Sequence, residues 1–442
     1  MNKQKVRVLL FCYYLGPLII VAVAYGVNSS VVTDLLLGAA LLSGVYGYSW
    51  LMVQLILSAR LKTLERGIGQ DRLLVFHRIM APLSLLLLLV HVVIKLWLYP
   101  ASLQVAGGVI AFLGFSLVGF FSAALLSGSQ TNPVFAGVRK LIYQKWKLQY
   151  HHIKALHNST FLLSILIFLH VLGSSTTVIS VVLRVYFIAL AAAALTAYLY
   201  HKVFRPWLKD PVYRVVRVEQ PSDQVTTVGF ELEKGSPVCH IPGQFAFYRF
   251  LRGVPGKEEH PFTISAGTKG RDQSSYLSFT AKALGDFTQA LPSVQVGDRL
   301  KVNGPYGIFS YRTFSQESPL VWIAGGIGIT PFLSMARSLV QEDNAPRPFL
   351  LWNARRPEDF IYLEELKSAA ELVPVLDGQQ EHWDGRRGRI SEDLLQDVLS
   401  DQTIRSAVFF ICGPPAMMTA VRGSLESLGV DSSRMIWERF SL

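Results

Sequence analysis

Four histidines in the apolar first half of the chain form two pairs with similar spacing. His77 and His91 are 14 residues apart, and His157 and His170 are 13 residues apart. At ~1.5 Å per helical residue these separations are ~21 and ~19.5 Å. Two parallel helices would therefore present the imidazoles as two pairs at matched depths, and each pair can bind a haem iron from opposite sides. The spacing predicts two stacked b-type haems.

A competing interpretation is that each histidine only hydrogen-bonds a neighbouring helix. Ionisable groups within lipid are costly and usually functional, so four of them at matched depths favour iron ligands. The helical angles agree less well with this hypothesis. Residues 14 apart return to within ~40° of one helix face, whereas residues 13 apart miss it by more than a third of a turn. The second histidine segment must bend, tilt or present its imidazoles differently.

These histidines lie within a set of apolar segments long enough to cross a bilayer as helices. The chain has 442 residues, of which 51% are hydrophobic and 17% charged, which argues against a wholly soluble or disordered protein. We expect a retained first span rather than a removed signal peptide. The six segments lie near residues 8–27, 32–58, 73–98, 105–127, 155–173 and 177–200.

Charge along the chain predicts the orientation in the membrane. Lys and Arg are concentrated in the N-terminus and in the second and fourth loops between spans, which places these in the cytoplasm. Spans three and five then run in the same direction, and the second half of the chain is cytoplasmic. Because the excess of positive charge belongs to the membrane half, the basic pI does not indicate nucleic-acid binding. We expect a multi-pass protein of the cell membrane.

The second half of the chain changes from apolar runs to short strands and then to alternating strands and helices. The first group predicts a small antiparallel barrel, with strands at 213–219, 225–232, 245–250, 276–282 and 299–303. The second group predicts a parallel sheet of βαβ units. Its strands are expected at 319–324, 348–353, 371–376 and 405–411, and its helices at 330–341, 358–369 and 415–428.

Residues 260–265 (HPFTIS) resemble the flavin-binding signature of NADPH oxidases and ferric reductases. Phe262 can cover the flavin ring, while Thr263 and Ser265 can offer hydroxyl groups to the flavin or its phosphates. Residues 285–288 (GDFT) follow in the family's order and open a short helix suited to the FAD pyrophosphate. The resemblance implies that FAD is bound by His260, Pro261, Phe262, Thr263, Ser265, Gly285 and Thr288.

Two later motifs resemble the nucleotide-binding part of the same family. Residues 325–331 (GGIGITP) follow the first predicted strand of the parallel sheet, where glycines let the backbone approach phosphates. Residues 412–415 (CGPP) resemble the segment beneath the nicotinamide. Arginine side chains suit a 2′-phosphate and favour NADPH over NADH. The residues expected to bind the nucleotide are Gly325, Gly326, Gly328, Thr330, Pro331, Arg355, Arg356, Arg389, Gly413 and Pro414.

The resemblance also implies two residues at the point of hydride transfer. Cys412 would lie under the nicotinamide, although a buried core thiol is the alternative. Phe440 would stack on the flavin, with Trp437 or simple core packing as alternatives because two residues follow Phe440.

With both halves considered, the chain resembles a minimal bacterial NADPH oxidase. We expect a multidomain membrane protein with a six-helix dihaem bundle (1–208), a ferredoxin-reductase-like FAD barrel (209–315) and an α/β NAD(P)H-binding domain (316–442). The implied cofactors are FAD, two b-type haems and NADPH or NADH. His77 with His157 would bind one haem, and His91 with His170 the other. No obligatory regulatory subunit is expected.

The terminal electron acceptor is less well indicated by the sequence. Oxidases of the resembled family carry an Arg on span two, whereas this chain has none between residues 27 and 59. Lys95, four residues after His91, can lie on the same helix face and favour a developing superoxide anion, with snorkelling to the membrane interface as the alternative role. The short outer loops contain no Asp, Glu or His cluster for iron. The missing iron site is the main reason to favour O₂ as acceptor, with ferric-chelate reduction, electron supply to a periplasmic enzyme, or a non-enzymatic haem carrier as alternatives.

Overall fold

The structure, a computed structural model, divides into two compact units at the Arg205–Pro206 bond. Each unit is described separately below. The structure describes the chain except for residues 1–2, 30–31, 33, 100–101, 126–136, 138–149, 253–255, 257, 269–274, 315–317, 343–344, 379–382 and 439–442.

Among its described residues, the first unit contains six helices that are long and apolar enough to span a membrane, which confirms the predicted number of spans. They cover Val6–Val27, Leu35–Ser58, Arg72–Leu98, Leu103–Leu125, His152–Leu172 and Val181–Phe204. The helices of this unit are α1 (Lys3–Val27), α2 (Leu35–Ser58), α3 (Lys62–Ile68), α4 (Gln70–Leu98), α5 (Leu103–Leu125), α6 (Tyr150–Asn158), α7 (Thr160–Leu172), α8 (Ser175–Ile179) and α9 (Val181–Tyr198), the last extended by a π-helical turn, Leu199–Phe204.

The fifth span is not one continuous α-helix. Helix α6 ends at Asn158 and α7 begins at Thr160, with Ser159 between them. The hydroxyl of Ser159 donates to the carbonyl of Leu156 at 2.6 Å, and the hydroxyl of Thr160 donates to the carbonyl of His157 at 2.8 Å. Side-chain bonds of this kind to carbonyls of the preceding turn bend helices. The interruption lies between His157 and His170, so of the expected alternatives (a bend, a tilt or a different presentation of the imidazoles) the chain shows an irregularity between the two histidines.

The unit boundary lies within the short helix α10 (Arg205–Leu208), and the second unit continues with an antiparallel six-stranded sheet. Aromatic and β-branched residues alternate inward along its strands and fill the core, in which Tyr213, Phe230, Tyr248 and Phe279 are fully buried. The strand order is β4-β3-β6-β1-β2-β5. The strands are β1 (Val212–Ser222), β2 (Val225–Lys234), β3 (Phe245–Phe250), β4 (His260–Thr263), β5 (Tyr276–Lys282) and β6 (Arg299–Tyr306), with the short helix α11 (Asp286–Gln289) after β5.

A parallel sheet with helices follows, in the order β10-β9-β8-β7-β11-β12. The strands are β7 (Leu320–Gly325), β8 (Phe349–Ala354), β9 (Glu371–Leu376), β10 (Arg386–Arg387), β11 (Val408–Cys412) and β12 (Met435–Trp437). The helices are α12 (Thr330–Leu339), α13 (Leu363–Ala369), α14 (Glu392–Val398), α15 (Asp401–Ser406) and α16 (Pro415–Ser427). The prediction of a strand from 405 was wrong at its start, because Ser400 caps α15 and residues 405–406 are helical.

Candidate functional site

His77 and His157 face each other inside the first unit. Their ring centroids are 6.1 Å apart and the ring planes are nearly perpendicular, at 81°. Two metal–imidazole bonds of ~2 Å each, together with the two half-rings, give a centroid separation of about 6 Å across one metal ion. The distance therefore fits two imidazoles bound to opposite sides of one iron.

His91 and His170 line one cavity of about 590 Å³ between the helices of the first unit. Gly44 and Gly108 allow both rings to sit against neighbouring helices, since a Cβ at these positions would lie 2.6 Å from His91 Nδ1 and 2.9 Å from His170 Nδ1. The cavity wall is mainly apolar, as expected of a pocket for a flat hydrophobic cofactor. Lys95 also lines this cavity.

The hydrogen bonds of these histidines determine which ring nitrogen is available to a metal. Nδ1 of His91 is 2.7 Å from the carbonyl oxygen of Ala40, and Nδ1 of His170 is 2.9 Å from that of Gln104. A carbonyl oxygen can only accept, so each neutral ring carries its proton on Nδ1 and donates it. The lone pair of Nε2 is then free in both rings, as in metal-binding histidines whose other nitrogen is fixed by an acceptor. The donor set fits haem.

The other pair is oriented by side chains. His77 Nδ1 donates to the amide oxygen of Gln54 at 2.7 Å, and His157 Nδ1 lies 3.0 Å from the hydroxyl of Ser122. The amide nitrogen of Gln54 in turn donates to the Tyr13 hydroxyl at 3.3 Å. Gln54 is only 4% exposed. The motif reading missed Gln54 and Ser122, although a lone Gln within an apolar span is itself an indication of a site.

The HPFTIS segment forms β4 and the loop after it. The ring of His260 stacks on Phe287 with centroids 3.8 Å apart, and the half-buried Phe262 stacks on Phe279 at 4.9 Å. The Thr330 hydroxyl donates to that of Thr263 at 3.2 Å, which links the flavin motif to the nucleotide loop. Pro261 pairs with Phe247 across the β4–β3 ladder.

The hydroxyl of Ser265, another member of this motif, makes two hydrogen bonds within the protein. Ser265 is fully buried, and its hydroxyl lies 3.0 Å from that of Ser278 and accepts from Thr280 at 3.1 Å. Of the two hydroxyl groups expected near the flavin, Thr263 is the one adjacent to the nucleotide loop.

The GDFT segment forms a helix of only four residues, α11, capped by Gly285. The Thr288 hydroxyl accepts from the backbone N–H groups of Leu284 at 2.9 Å and Gly285 at 3.0 Å. A helix this short has little dipole, and the two backbone amides immediately before it are already bonded. The expected pyrophosphate contact therefore rests on the order of the motifs along the chain.

The glycine-rich loops meet where the strand order of the parallel sheet reverses. Cys412 of β11 pairs with Ala324 of β7, and β8 and β11 are the neighbours of β7 on its two sides in the sheet. A Cβ at Gly328 would lie 2.5 Å from the carbonyl oxygen of Cys412, and one at Gly413 would lie 3.0 Å from the Cα of Gly325. Gly326 has a φ of +53°. Open α/β sheets bind ligands at the carboxyl ends of the strands at such a reversal.

The remaining members of the nucleotide set surround this crevice. Pro331 occupies the first turn of α12, the ten-residue helix that follows the glycine loop and presents its N-terminus there. Pro414 precedes α16, which begins directly after the CGP segment.

The three arginines differ in their surroundings. Arg356 makes a bidentate pair with Asp223 at 3.0 and 3.2 Å and also bonds Asp359 at 3.1 Å, so its guanidinium is already occupied. These carboxylates raise the pKa of Arg356. Arg355 is exposed at the end of β8. The side chain of Arg389 is 86% exposed, 3.4 Å from Asp377. Arg355 and Arg389 are therefore better placed than Arg356 for a phosphate.

Cys412 is 1% exposed at the end of β11. Burial, and secondarily the charge of Glu438, raises the pKa of its thiol well above the usual value, so the thiol is neutral at pH 7. Glu438, which the sequence interpretation did not single out, is 4% exposed and lies near Gly307, the residue directly after β6. Phe440 lies outside the described residues.

Taken together, an antiparallel barrel followed by a parallel sheet with a glycine-lined crevice defines a flavin- and nicotinamide-dependent reductase. Residues 322–423 match the oxidoreductase NAD-binding domain family. The reductase component of propane 2-monooxygenase from Mycolicibacterium smegmatis is 28% identical over 243 residues, which are 53% of this chain and 68% of that protein. NADH-cytochrome b5 reductase 2 from Aspergillus clavatus is 30% identical over 221 residues, 48% of this chain and 67% of that protein.

Among solved structures, flavohemoglobin from Malassezia yamatoensis overlaps 78% of this chain and 91% of its own, with 20% identity and a TM-score of 0.48. An overlap this weak carries no functional information. The curated relatives are sufficient to assign the second unit to a protein family. The C-terminal half of this chain belongs to the ferredoxin-reductase-like family of NAD-binding oxidoreductases, and the protein is an NAD(P)H-dependent oxidoreductase.

Proposed function

We propose that this protein is a transmembrane NAD(P)H oxidase that moves electrons from cytoplasmic NAD(P)H through FAD and two b-type haems to O₂ on the outer side, producing superoxide. The observation that carries the proposal is the pair of histidine sites in the membrane unit of a chain whose second unit is a reductase. When bound, FAD would take hydride from the nicotinamide and the haems would carry single electrons.

The chain's own residues support each binding step. His77 with His157, and His91 with His170, would bind the haem irons through Nε2, because their Nδ1 atoms point to fixed partners. Gly326 has open space beside it for the nucleotide phosphates near the N-terminus of α12, and Gly325 and Gly328 let the loop pack closely against the segment that follows β11. The protonated Cys412 thiol adds no charge beneath the nicotinamide.

Lys95 supports O₂ as the acceptor. It lines the same cavity as His91 and His170, and its ammonium lies 5.0 Å from the centroid of the Tyr99 ring. A cation beside the outer iron site would stabilise superoxide as its negative charge develops. A ferric chelate remains the alternative small acceptor.

A second candidate is electron supply to a partner enzyme. The relatives of the second unit favour it, since they include the reductase component of a monooxygenase and the electron transfer component of anthranilate 1,2-dioxygenase from Acinetobacter baylyi. In that case O₂ would oxidise the reduced protein only slowly.

The test uses the full-length protein purified in detergent with FAD and haem. NADPH or NADH is added, and cytochrome c reduction is followed with and without superoxide dismutase. Complete inhibition by dismutase supports the oxidase, whereas insensitivity with rapid ferric-chelate reduction supports the alternative. Lys95→Gln should slow superoxide formation without slowing haem reduction. Arg184→Gln is the matched control, because Arg184 bonds the carbonyls of Thr177 and Val178 instead of lining the cavity.

A further inference from the structure

The outer face of the antiparallel sheet carries a row of basic side chains at one end. Arg249 on β3 pairs with Lys301 on β6, Lys301 pairs with Val212 on β1, and Val212 pairs with Lys234 on β2. Adjacent strands are ~4.8 Å apart, so the three cations lie within a band of ~15 Å. We refer to Lys234, Arg249 and Lys301 as the basic row.

The strand alternation fixes the direction of this row. Phe250 and Leu300, the neighbours of Arg249 and Lys301, are fully buried in the core of the sheet, as is Tyr213, the neighbour of Val212, with which Lys234 pairs. Because successive side chains on a strand point to opposite faces, the basic row points away from the core. Lys234 is exposed, and Arg249 and Lys301 are partly exposed.

Positive charge dominates around the row. Desolvation is the main cause that lowers the pKa of Lys301, and the charges of Arg249 and Lys234 lower it further. Asp210 is an acidic neighbour that raises it. The next outward residues, Arg214 and Arg299, share one carboxylate, that of Glu233. A face with this excess of cations attracts an anionic surface.

Chain connectivity identifies the surface. Lys301 Nζ donates to the carbonyl oxygen of Pro206 at 2.7 Å. Pro206 is two residues after Phe204, where the last apolar span ends, so the chain alone keeps these two residues within ~7 Å. Leu208, in the same short segment, is 75% exposed. Exposed apolar side chains beside a basic cluster next to a span are typical of residues that lie at a lipid headgroup layer.

We propose that the basic row binds the headgroups of anionic phospholipids. The loops between spans on the predicted cytoplasmic side, which include Arg60 and Lys62, are themselves basic and do not offer the complementary charge. Lipid phosphates do. The bound lipid tethers the sheet end of the second unit at the membrane surface, in addition to the covalent link at Pro206.

The test measures lipid affinity of the full-length protein in detergent micelles, using fluorescent phosphatidylglycerol and fluorescent phosphatidylcholine as probes. The double variant Lys234→Gln/Arg249→Gln removes two charges and leaves Lys301, with its bond to Pro206, intact. At about fivefold per charge, phosphatidylglycerol binding should weaken about 25-fold, while phosphatidylcholine binding stays unchanged. NADH-dependent ferricyanide reduction, which needs only the reductase half, reports that the variant is folded.

A matched control removes two exposed charges from the nucleotide-binding part, Lys367→Gln/Arg405→Gln, and should leave phosphatidylglycerol affinity unchanged. Unchanged affinity in the first variant, or an equal loss in the control, would overturn the proposal. Displacement of the lipid by free glycerol phosphate at similar concentration would assign the row to a soluble phosphate instead. Polyglutamate binding as tightly as the lipid would assign it to an acidic protein.

Discussion

The hydrogen bond from His77 to Gln54 gives a sharp test of the iron-binding hypothesis. Its acceptor is a side chain, so it can be removed without changing the backbone, unlike the carbonyl acceptors of His91 and His170. Leu has nearly the shape of Gln and suits an apolar span, so Gln54→Leu should fold. It leaves the His77 ring without the partner that fixes its orientation and tautomer.

The expected magnitude follows from the role of such partners. Loss of an acceptor behind a metal-bound histidine typically costs 10- to 100-fold in affinity, or about 1.4–2.7 kcal/mol. The acceptor also makes the ring a stronger donor to iron, which stabilises the oxidised form. Gln54→Leu should therefore lower the occupancy of one haem and move its midpoint potential in the positive direction. Gln54→Glu, which keeps an acceptor oxygen, should restore the occupancy.

The assay is a redox titration of the purified full-length protein, followed at the haem absorption bands. The control is Ser49→Ala, which removes another buried polar group of α2, one that contacts Tyr186 and the Val45 carbonyl but no histidine. The assigned role of Gln54 would be refuted if the wild-type protein binds two haems and Gln54→Leu changes neither the midpoint potential nor the occupancy of either haem. Absence of haem from the wild-type protein would instead refute the proposed function.

Three further outcomes are expected. His91→Ala should lose one haem of two and keep flavin reduction by NADPH, so retention of both haems in the absorption spectrum would contradict the ligand assignment. Arg389→Ala should raise KM for NADPH more than for NADH. Arg356→Ala should mainly lower the melting temperature, since Arg356 is bound to Asp223 and Asp359. Equal effects of both variants on KM would be evidence against a phosphate-binding role for Arg389 and a structural role for Arg356. Burial lowers the pKa of His240 to about 4 from 6.5. As the pH falls from 6.5 to 4 the unfolded chain therefore takes up the proton first, and the stability of the folded protein should decrease. His240→Gln should make the melting temperature depend less on pH in melts followed by flavin fluorescence, and an unchanged pH dependence would show that other groups cause it.

Periodicity and short motifs predicted most elements of both units, because these patterns are set by local physics, but they missed the short strand β4 and the short helices α14 and α15. Apolar runs longer than 20 residues indicate spans by themselves, and strand 371–376 was predicted with its observed bounds. The two-residue strand β10 and three-residue strand β12 were missed, since segments this short have no measurable alternation and form only because a neighbouring strand pairs with them.

Contacts between residues that are far apart in the chain could not be predicted from the sequence. Arg356 looked free for a phosphate, but Asp223, its partner, is 133 residues away. The same holds for Gln54, which reaches His77 from another helix. In both cases the residue type was visible and its partner was not, because the partner is chosen by the packing of elements and not by local spacing.

The fifth span shows how such a discrepancy can itself be informative. A 13-residue spacing on a straight helix would point His157 and His170 in different directions, which seemed to weaken the pairing with a 14-residue spacing on the third span. The break at Ser159 resolves this conflict, because His157 belongs to α6 and His170 to α7. His157 then faces His77, while His170 lines a cavity with His91. A mismatch in helical angle between residues of one proposed site therefore predicts a helix interruption between them before it argues against the site.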